Sequence, residues 1–231
     1  MRVGILQPGY LPWLGFFEQM SRCDVFVYLD DVQYTKNDWR NRNRIKTKDG
    51  IQWLTVPVSY KFGQKIRDVT INNTYPWKRK HIHALRMWYS KSKFFSVYSE
   101  EIEQILKREW TYLVDLDIEV TRWLIKKLGI TTKTVLSSGL STTTNDKQYR
   151  LVEICKALDC DYFYEGKSGQ NYINTEFFKA NGITIEFQDY QHPQYPQLWG
   201  EFVPYLSAID LLFNVGPESP DYIIGKKGRK Q

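Results

Sequence analysis

No run in the 231-residue sequence is long and apolar enough to span a bilayer, and the start, Met1-Arg2-Val3, lacks the apolar core of a secretory signal. There are only three cysteines, Cys23, Cys155 and Cys160, an odd number without metal-ligand spacing, which argues against both a disulfide framework and a cysteine-held metal. The chain therefore reads as cytoplasmic, with its thiols serving as small core residues. His81 and His83 lie two positions apart, and on a helix that spacing turns them in different directions, so no metal motif is present. A complete P-loop is also missing. Gly166-Lys167-Ser168 has the end of one, but its first glycine would fall where Asp161 stands, which excludes a P-loop ATPase. Internal repeats and low-complexity linkers are absent too.

Aromatic side chains and amphipathic periodicity are plentiful. Aromatic residues make up 16% of the chain, with 8 Trp and 16 Tyr, side chains that stack on sugars or bases as readily as they fill cores. The net charge of +6 favours an anionic partner, but 26 acidic residues dilute it, and part of the excess sits in the tail at 226–230. A phosphorylated small molecule needs two or three cations, whereas a nucleic acid needs a broad basic face, so a small anion is expected and nucleic acid is not.

The chemistry concentrates between Gln7 and Arg44. An apolar run at 3–6 predicts a first strand, the prolines and glycines of 7–13 predict an irregular loop, and a short helix leads to a second strand at 25–28. Strand, helix, strand implies two parallel strands whose carboxyl ends share one sheet edge, the edge where α/β sheets bind ligands. Directly after the second strand come Asp30, Asp31, Lys36, Trp39, Asn41, Arg42, Asn43 and Arg44. Such a charge run is also what a plain solvated loop looks like.

Further on, Asp49-Gly50 marks a turn, with a strand at 51–58 and a hairpin arm at 44–48. A strand at 66–71 follows, and together these form a β-extension of the sheet. Residues 76–128 read as a helical section, with apolar side chains at three- and four-residue spacing, Ser99 as the cap of the stretch 99–128 and a break near Trp110. The α/β alternation resumes with strands at 132–136, 161–164 and 183–187 and a helix at 145–158. The hydroxyl-rich run at 137–144 either caps that helix or binds a phosphate. After the last strand, His192, Tyr195 and Gln197 lie in an extended, proline-bounded segment that reads as a second wall of a binding site. The fold class expected is α/β, a Rossmann-like, mostly parallel sheet with a β-extension and a helical middle section, as one domain over 1–216 followed by a basic tail at 217–231.

The ordered blocks Gln7-Pro8-Gly9-Tyr10-Leu11-Pro12-Trp13-Leu14-Gly15-Phe16-Phe17, Asp30-Asp31-Val32-Gln33-Tyr34, Asn41-Arg42-Asn43-Arg44-Ile45, Trp53-Leu54-Thr55-Val56-Pro57, His81, Tyr195-x-Gln197 and Ser207-x-x-Asp210 resemble the WbqC-like family. The resemblance runs to about Gly216. It implies a transferase modifying a nucleotide-activated (amino) sugar by N-acyl or aminoacyl transfer in O-antigen or other surface-polysaccharide biosynthesis, so the partner is a nucleotide sugar and an acyl or aminoacyl donor is compatible with it. The opening strand, loop, Gly15, helix and strand are also similar to nucleotidylyltransferases of the HIGH-motif superfamily. Phe16 stands where that motif has a phosphate-contacting histidine, and a phenyl ring cannot donate to a phosphate oxygen.

In this reading Lys36, Arg42 and Arg44 neutralise phosphate, while Tyr10, Trp13 and Trp39 pack on base or sugar. Gln7, Asn41 and Asn43 offer donors to an oxyanion or sugar hydroxyl. His81 is the proton acceptor, with Asp30 or Asp31 its alternative or its orienting partner. Two other classes fit the same residues: a non-catalytic nucleotide-sugar-binding or scaffolding module, and a nucleotidylyltransferase.

Overall fold

The structure is a computed structural model in which residues 1–226 are described; Lys227, Gly228, Arg229 and Lys230 of the basic tail lie outside the described residues. In chain order the elements are β1 (Arg2–Leu6), α1 (Leu14–Ser21), β2 (Val25–Tyr28), β3 (Arg42–Thr47), β4 (Gly50–Thr55), β5 (Val58–Ser59), β6 (Thr70–Ile71), α2 (Trp77–Tyr89), α3 (Phe95–Lys107), α4 (Leu113–Lys127), β7 (Lys133–Leu136), α5 (Lys147–Ala157), β8 (Tyr162–Glu165), α6 (Thr175–Ala180), β9 (Thr184–Phe187), α7 (Ala208–Val215) and α8 (Ser219–Ile223). The protein is α/β. Its residues divide into two compact units interleaved in sequence.

The first unit, 1–7, 18–32 and 131–190, holds a five-stranded sheet in the order β7-β2-β1-β8-β9. All four of its pairings are parallel, with Val3 against Val25 on one side of β1 and against Phe163 on the other. Parallel strands covered on both faces are apolar throughout rather than alternating, and β2, Val-Phe-Val-Tyr, is buried at every position. Val3, Ile5, Val25, Val27 and Phe163 meet Val152, Ile154 and Cys155 of α5 and Phe178 of α6 in one apolar core. The three thiols are buried and unbridged, as core residues should be. Asp146 caps α5 by accepting from the amides of Gln148 and Tyr149, and Asn174 caps α6 through the Phe177 amide. Strand order reverses between β1 and β8, and the carboxyl ends of these strands carry Gln7 and Glu165.

The second unit, 8–17, 33–130 and 191 onward, is helical with two small β-elements. β3 and β4 form an antiparallel hairpin with Thr47 opposite Gly50. Gly50 takes a φ of +117°, open to glycine at little steric cost, while the Thr47 hydroxyl bonds the Gly50 carbonyl and the Asp49 amide. The expected strand at 51–58 is split, because Pro57 has no N–H for a ladder and the chain breaks between β4 and β5. The expected strand at 66–71 is a 3₁₀ turn at Ile66–Asp68 followed by the two residues of β6. The long helical stretch breaks where it should, with α3 ending at Lys107 and α4 starting at Leu113. α3 begins at Phe95, so Ser99 lies inside it rather than capping it. Part of the region expected as tail is folded: Ser219 and Ile223 of α8 are buried.

Candidate functional site

In the first unit, the carboxyl ends of β2 and β7 bring Asp30 and Asp31 against Ser137, Ser138 and Arg150. Asp30 is buried and accepts from the Ser137 hydroxyl (3.0 Å), the Ser138 amide (2.9 Å) and the Ser138 hydroxyl (2.7 Å). Asp31, also buried, accepts from the same Ser137 hydroxyl and is ion-paired with Arg150. Each carboxylate is thus satisfied by its own unit. Further along the 137–144 run, Thr143 and Thr144 donate their amides to Glu153. In that run, hydroxyls and amides expected to cap a helix or hold phosphate bind protein carboxylates instead. On β8, separated from β2 by β1, Glu165 is buried beside the Tyr172 hydroxyl (3.3 Å), and burial pushes its pKa up to about 7. Gln7 is half-buried at the end of β1, and its Oε1 has no hydrogen-bond partner among the described residues.

In the second unit, period-two alternation along β3 sorts its residues onto two faces. Asn43 and Ile45 point inward and are buried; Arg42 and Arg44 take the other face. Asn43 donates to the carbonyls of Tyr10 (3.2 Å) and Leu11 (2.7 Å), holding a loop in which Leu11 has a φ of +46°. Its Oδ1 accepts the Arg44 amide. Asn41 likewise donates to Val56. Asn43 is therefore spent on backbone, whereas the buried Oδ1 of Asn41 has no hydrogen-bond partner among the described residues.

On the other face, Trp53 lies directly across from Arg44 in the hairpin register. The Arg42 guanidinium sits 4.5 Å over the Trp53 ring, and Arg44 sits 5.2 Å from Trp39 and 5.8 Å from Trp53. The two indoles are 5.4 Å apart and remain 40% and 42% exposed, large values for tryptophan. The nearest acid in sequence, Asp38, is occupied by Thr35, the Trp39 amide and Arg40. Lys36 is exposed. Residues remote in sequence meet here: Arg44 donates to the Tyr205 carbonyl (2.7 Å), and the Tyr205 ring contacts Trp13 and His192. Trp13 lies across Gly15, where a Cβ would stand 2.2–2.6 Å from its ring. That packing gives Gly15 a reason to be glycine without any phosphate.

Beside this platform, β4 and the start of α2 enclose a cleft of ≈ 300 Å³ lined by Gln52, Trp53, Leu54, Thr55, Pro57, Tyr75, Trp77, Lys80 and His81. His81 is 4% exposed. Its Nε2 lies 3.2 Å from the Thr55 carbonyl, which can only accept, so Nε2 carries the proton and Nδ1 accepts from the Tyr10 hydroxyl at 2.9 Å. Burial drives the pKa of the ring down to about 4. Both nitrogens are thus engaged within the unit, leaving neither for an orienting carboxylate. Tyr10 is fully buried and offers no face to a ligand. His192 accepts the Tyr205 amide at Nε2 and bonds the Pro193 carbonyl through Nδ1. Gln197 donates to Asp210 (3.0 Å), which also accepts from Tyr89 (2.7 Å) and Tyr195. The expected second wall is here a buried polar network around Asp210.

Sequence reasoning passed over Trp53, Gln52 and Lys80, which only the hairpin register and the start of α2 bring to the cleft. It also passed over Asp117 on α4, fully buried with neither carboxylate oxygen hydrogen-bonded among the described residues. Burial pushes its pKa well up, opposed by the Arg40 guanidinium.

The model of the WbqC-like protein family matches residues 7–222. The chain belongs to the WbqC-like family. The match takes in both the 7–44 segment and the Asp210 network. A relative in Mycobacterium tuberculosis, the uncharacterized protein Rv1507c, is 39% identical over 226 residues, covering 96% of this chain and 97% of its own. No solved structure matches. Among the described residues, no helix is long and apolar enough to cross a membrane.

Proposed function

We propose that this protein is a transferase acting on a nucleotide-activated sugar in surface-polysaccharide biosynthesis, and that the Trp39–Trp53 platform holds the ligand. The observation that carries this reading is the pair of exposed indoles with Arg42 and Arg44 stacked on them. A flat aromatic face takes a sugar ring or base, and a guanidinium held in place takes a phosphate through two parallel N–H groups. Lys36 is a third cation on the same segment. The parallel sheet supports the reading independently, because a strand order that reverses between β1 and β8 is how Rossmann-like sheets are built to bind nucleotides.

For an N-acyl or aminoacyl transfer, the amine of the sugar attacks the acyl carbon. A C–N bond forms, the donor's leaving group departs, and the amine's proton passes to a base. His81 stands in the cleft wall, but its one lone pair holds Tyr10, so proton uptake requires Tyr10 to release it. That occupancy, with Asp30 and Asp31 tied to Ser137, Ser138 and Arg150, favours a second reading in which the protein binds the nucleotide sugar without transforming it.

Thermal shift with a panel of UDP-, GDP- and dTDP-sugars tests the shared part, since a ligand that binds only the folded state raises its stability. Stabilisation by at least one of them, lost in Trp39→Ala and in Arg42→Ala/Arg44→Ala, is expected. No shift with any, or a shift unchanged in these variants, refutes the platform. Mass spectrometry of the bound sugar after incubation with acyl-CoA or an aminoacyl donor separates the two readings: a mass gain supports transfer, and an unchanged sugar supports the binding module.

A further inference from the structure

The cleft beside the platform has a chemistry of its own. None of its nine lining residues is acidic, and the polar side chains it presents besides His81 are Lys80, Gln52, Thr55 and Tyr75. Lys80 is exposed, whereas its neighbour Lys78 is already paired with Glu109 at 2.9 Å. The Gln52 amide is oriented: its Oε1 accepts the Trp88 indole N–H at 2.8 Å, so what it has left to give is N–H. His81 presents no positive charge at neutral pH. α2 contributes its uncapped first turn, which has no acidic residue. Trp53 belongs both to this cleft and to the Arg42/Arg44 platform, so the two are continuous.

We propose that this cleft is a second anion subsite, taking the carboxylate of a uronic-acid-class sugar, with Lys80 as the counter-charge and the Gln52 amide as the second donor. Trp53 packs on the ring. This inference rests on the nucleotide-sugar reading for what occupies the platform, but the cleft itself can be tested apart from it. A volume of ≈ 300 Å³ lies at the small end of ligand clefts, fit for a single ring rather than an oligosaccharide. The donors, the cation and the lack of a competing carboxylate together favour an anionic over a neutral sugar, because only the anion gains the contact with Lys80.

Binding is measured by calorimetry with UDP-glucuronate, UDP-glucose, free glucuronate and free glucose, on the full chain and on Lys80→Gln, an exposed position that should leave the fold intact. The expected result is roughly tenfold tighter binding of UDP-glucuronate than of UDP-glucose, as one charge-assisted contact gives, with the preference abolished in Lys80→Gln. Equal binding of the two nucleotide sugars, or a preference that survives in Lys80→Gln, overturns the subsite and leaves the platform reading standing. Lys80-dependent binding of free glucuronate with no binding of either nucleotide sugar supports the subsite and removes the platform reading. Binding of none of the four overturns the subsite.

Discussion

His81 makes the buried polar chemistry measurable through acid stability. The residue is 4% exposed and its ring is neutral in the folded protein, with a pKa lowered from 6.5 to about 4 by burial. The unfolded chain therefore binds a proton first. Stability is intact above pH 6.5 and is lost as pH falls from 6.5 through about 4. At about 1.4 kcal/mol for each pH unit, that interval amounts to about 3 kcal/mol. In a chain of this length the loss lowers Tm by roughly 6–12 °C. Other groups titrate in the same window, so the comparison is with His81→Gln, which keeps an oxygen for the Tyr10 hydroxyl and an N–H for the Thr55 carbonyl but does not titrate. The wild-type Tm should fall by this increment relative to His81→Gln between pH 6.5 and pH 4. Parallel curves for the two proteins would refute the reasoning, and so would an NMR titration of the His81 Cε1 proton with a midpoint near 6.5.

Asp117 gives the opposite slope. Its folded pKa is raised, so its contribution is present below pH 3.8 and is lost as pH rises through the folded value. Asp117→Asn should remove that slope from urea-denaturation series, and Asp117→Leu, which deletes two unpartnered buried oxygens, should stabilise by about 1–3 kcal/mol at pH 7. Arg150→Met leaves Asp31 buried without its counter-charge and should cost about 3–5 kcal/mol in chemical denaturation; a change below 1 kcal/mol would show the pair to be as weak as a surface salt bridge. Gly15→Ala forces the Trp13 ring off its seat and should red-shift tryptophan emission with little loss of helix content by circular dichroism.

The parallel core was legible because its strands announce themselves. Continuous apolar runs such as 25–28, separated by helical periodicity, allow few other arrangements, and the pairing of β1 with β2 is the one expected. The helical section and its break near Trp110 followed from spacing in the same way. What escaped was local and set by single residues. Pro57 cut one expected strand in two, a 3₁₀ turn replaced the first half of another, and α3 started four residues before Ser99 because Ser92 and Phe94 bond the chain into a turn there. The interleaving of two compact units was not legible at all, since no linker composition marks the passages at 7–8, 17–18 or 32–33.

At the candidate site the sequence singled out a segment but could not say which of its polar residues face water. Between Asp30 and Arg44, residue type alone makes every charged or amide side chain a candidate. Burial divides them: Asp30, Asp31, Asn41 and Asn43 are inside, each bonded to its own protein, while Lys36, Trp39, Arg42 and Arg44 keep exposed surface. Buried polar groups must be hydrogen-bonded to be tolerated, so the more completely such a residue is satisfied by protein, the less it has left for a ligand. By that measure the two aspartates are structural in the first unit and Asn43 is structural in the second, while the cations and indoles of the hairpin face are the groups left for a ligand. The partition is set by strand register, because Asn43 and Arg44 are neighbours in sequence and opposite in orientation. Proton transfer through His81 can then come only by displacing the Tyr10 hydroxyl, and another route is a group carried by the ligand itself. The two routes differ in one respect: only the first makes turnover sensitive to Tyr10→Phe, which removes the hydroxyl and leaves Nδ1 free.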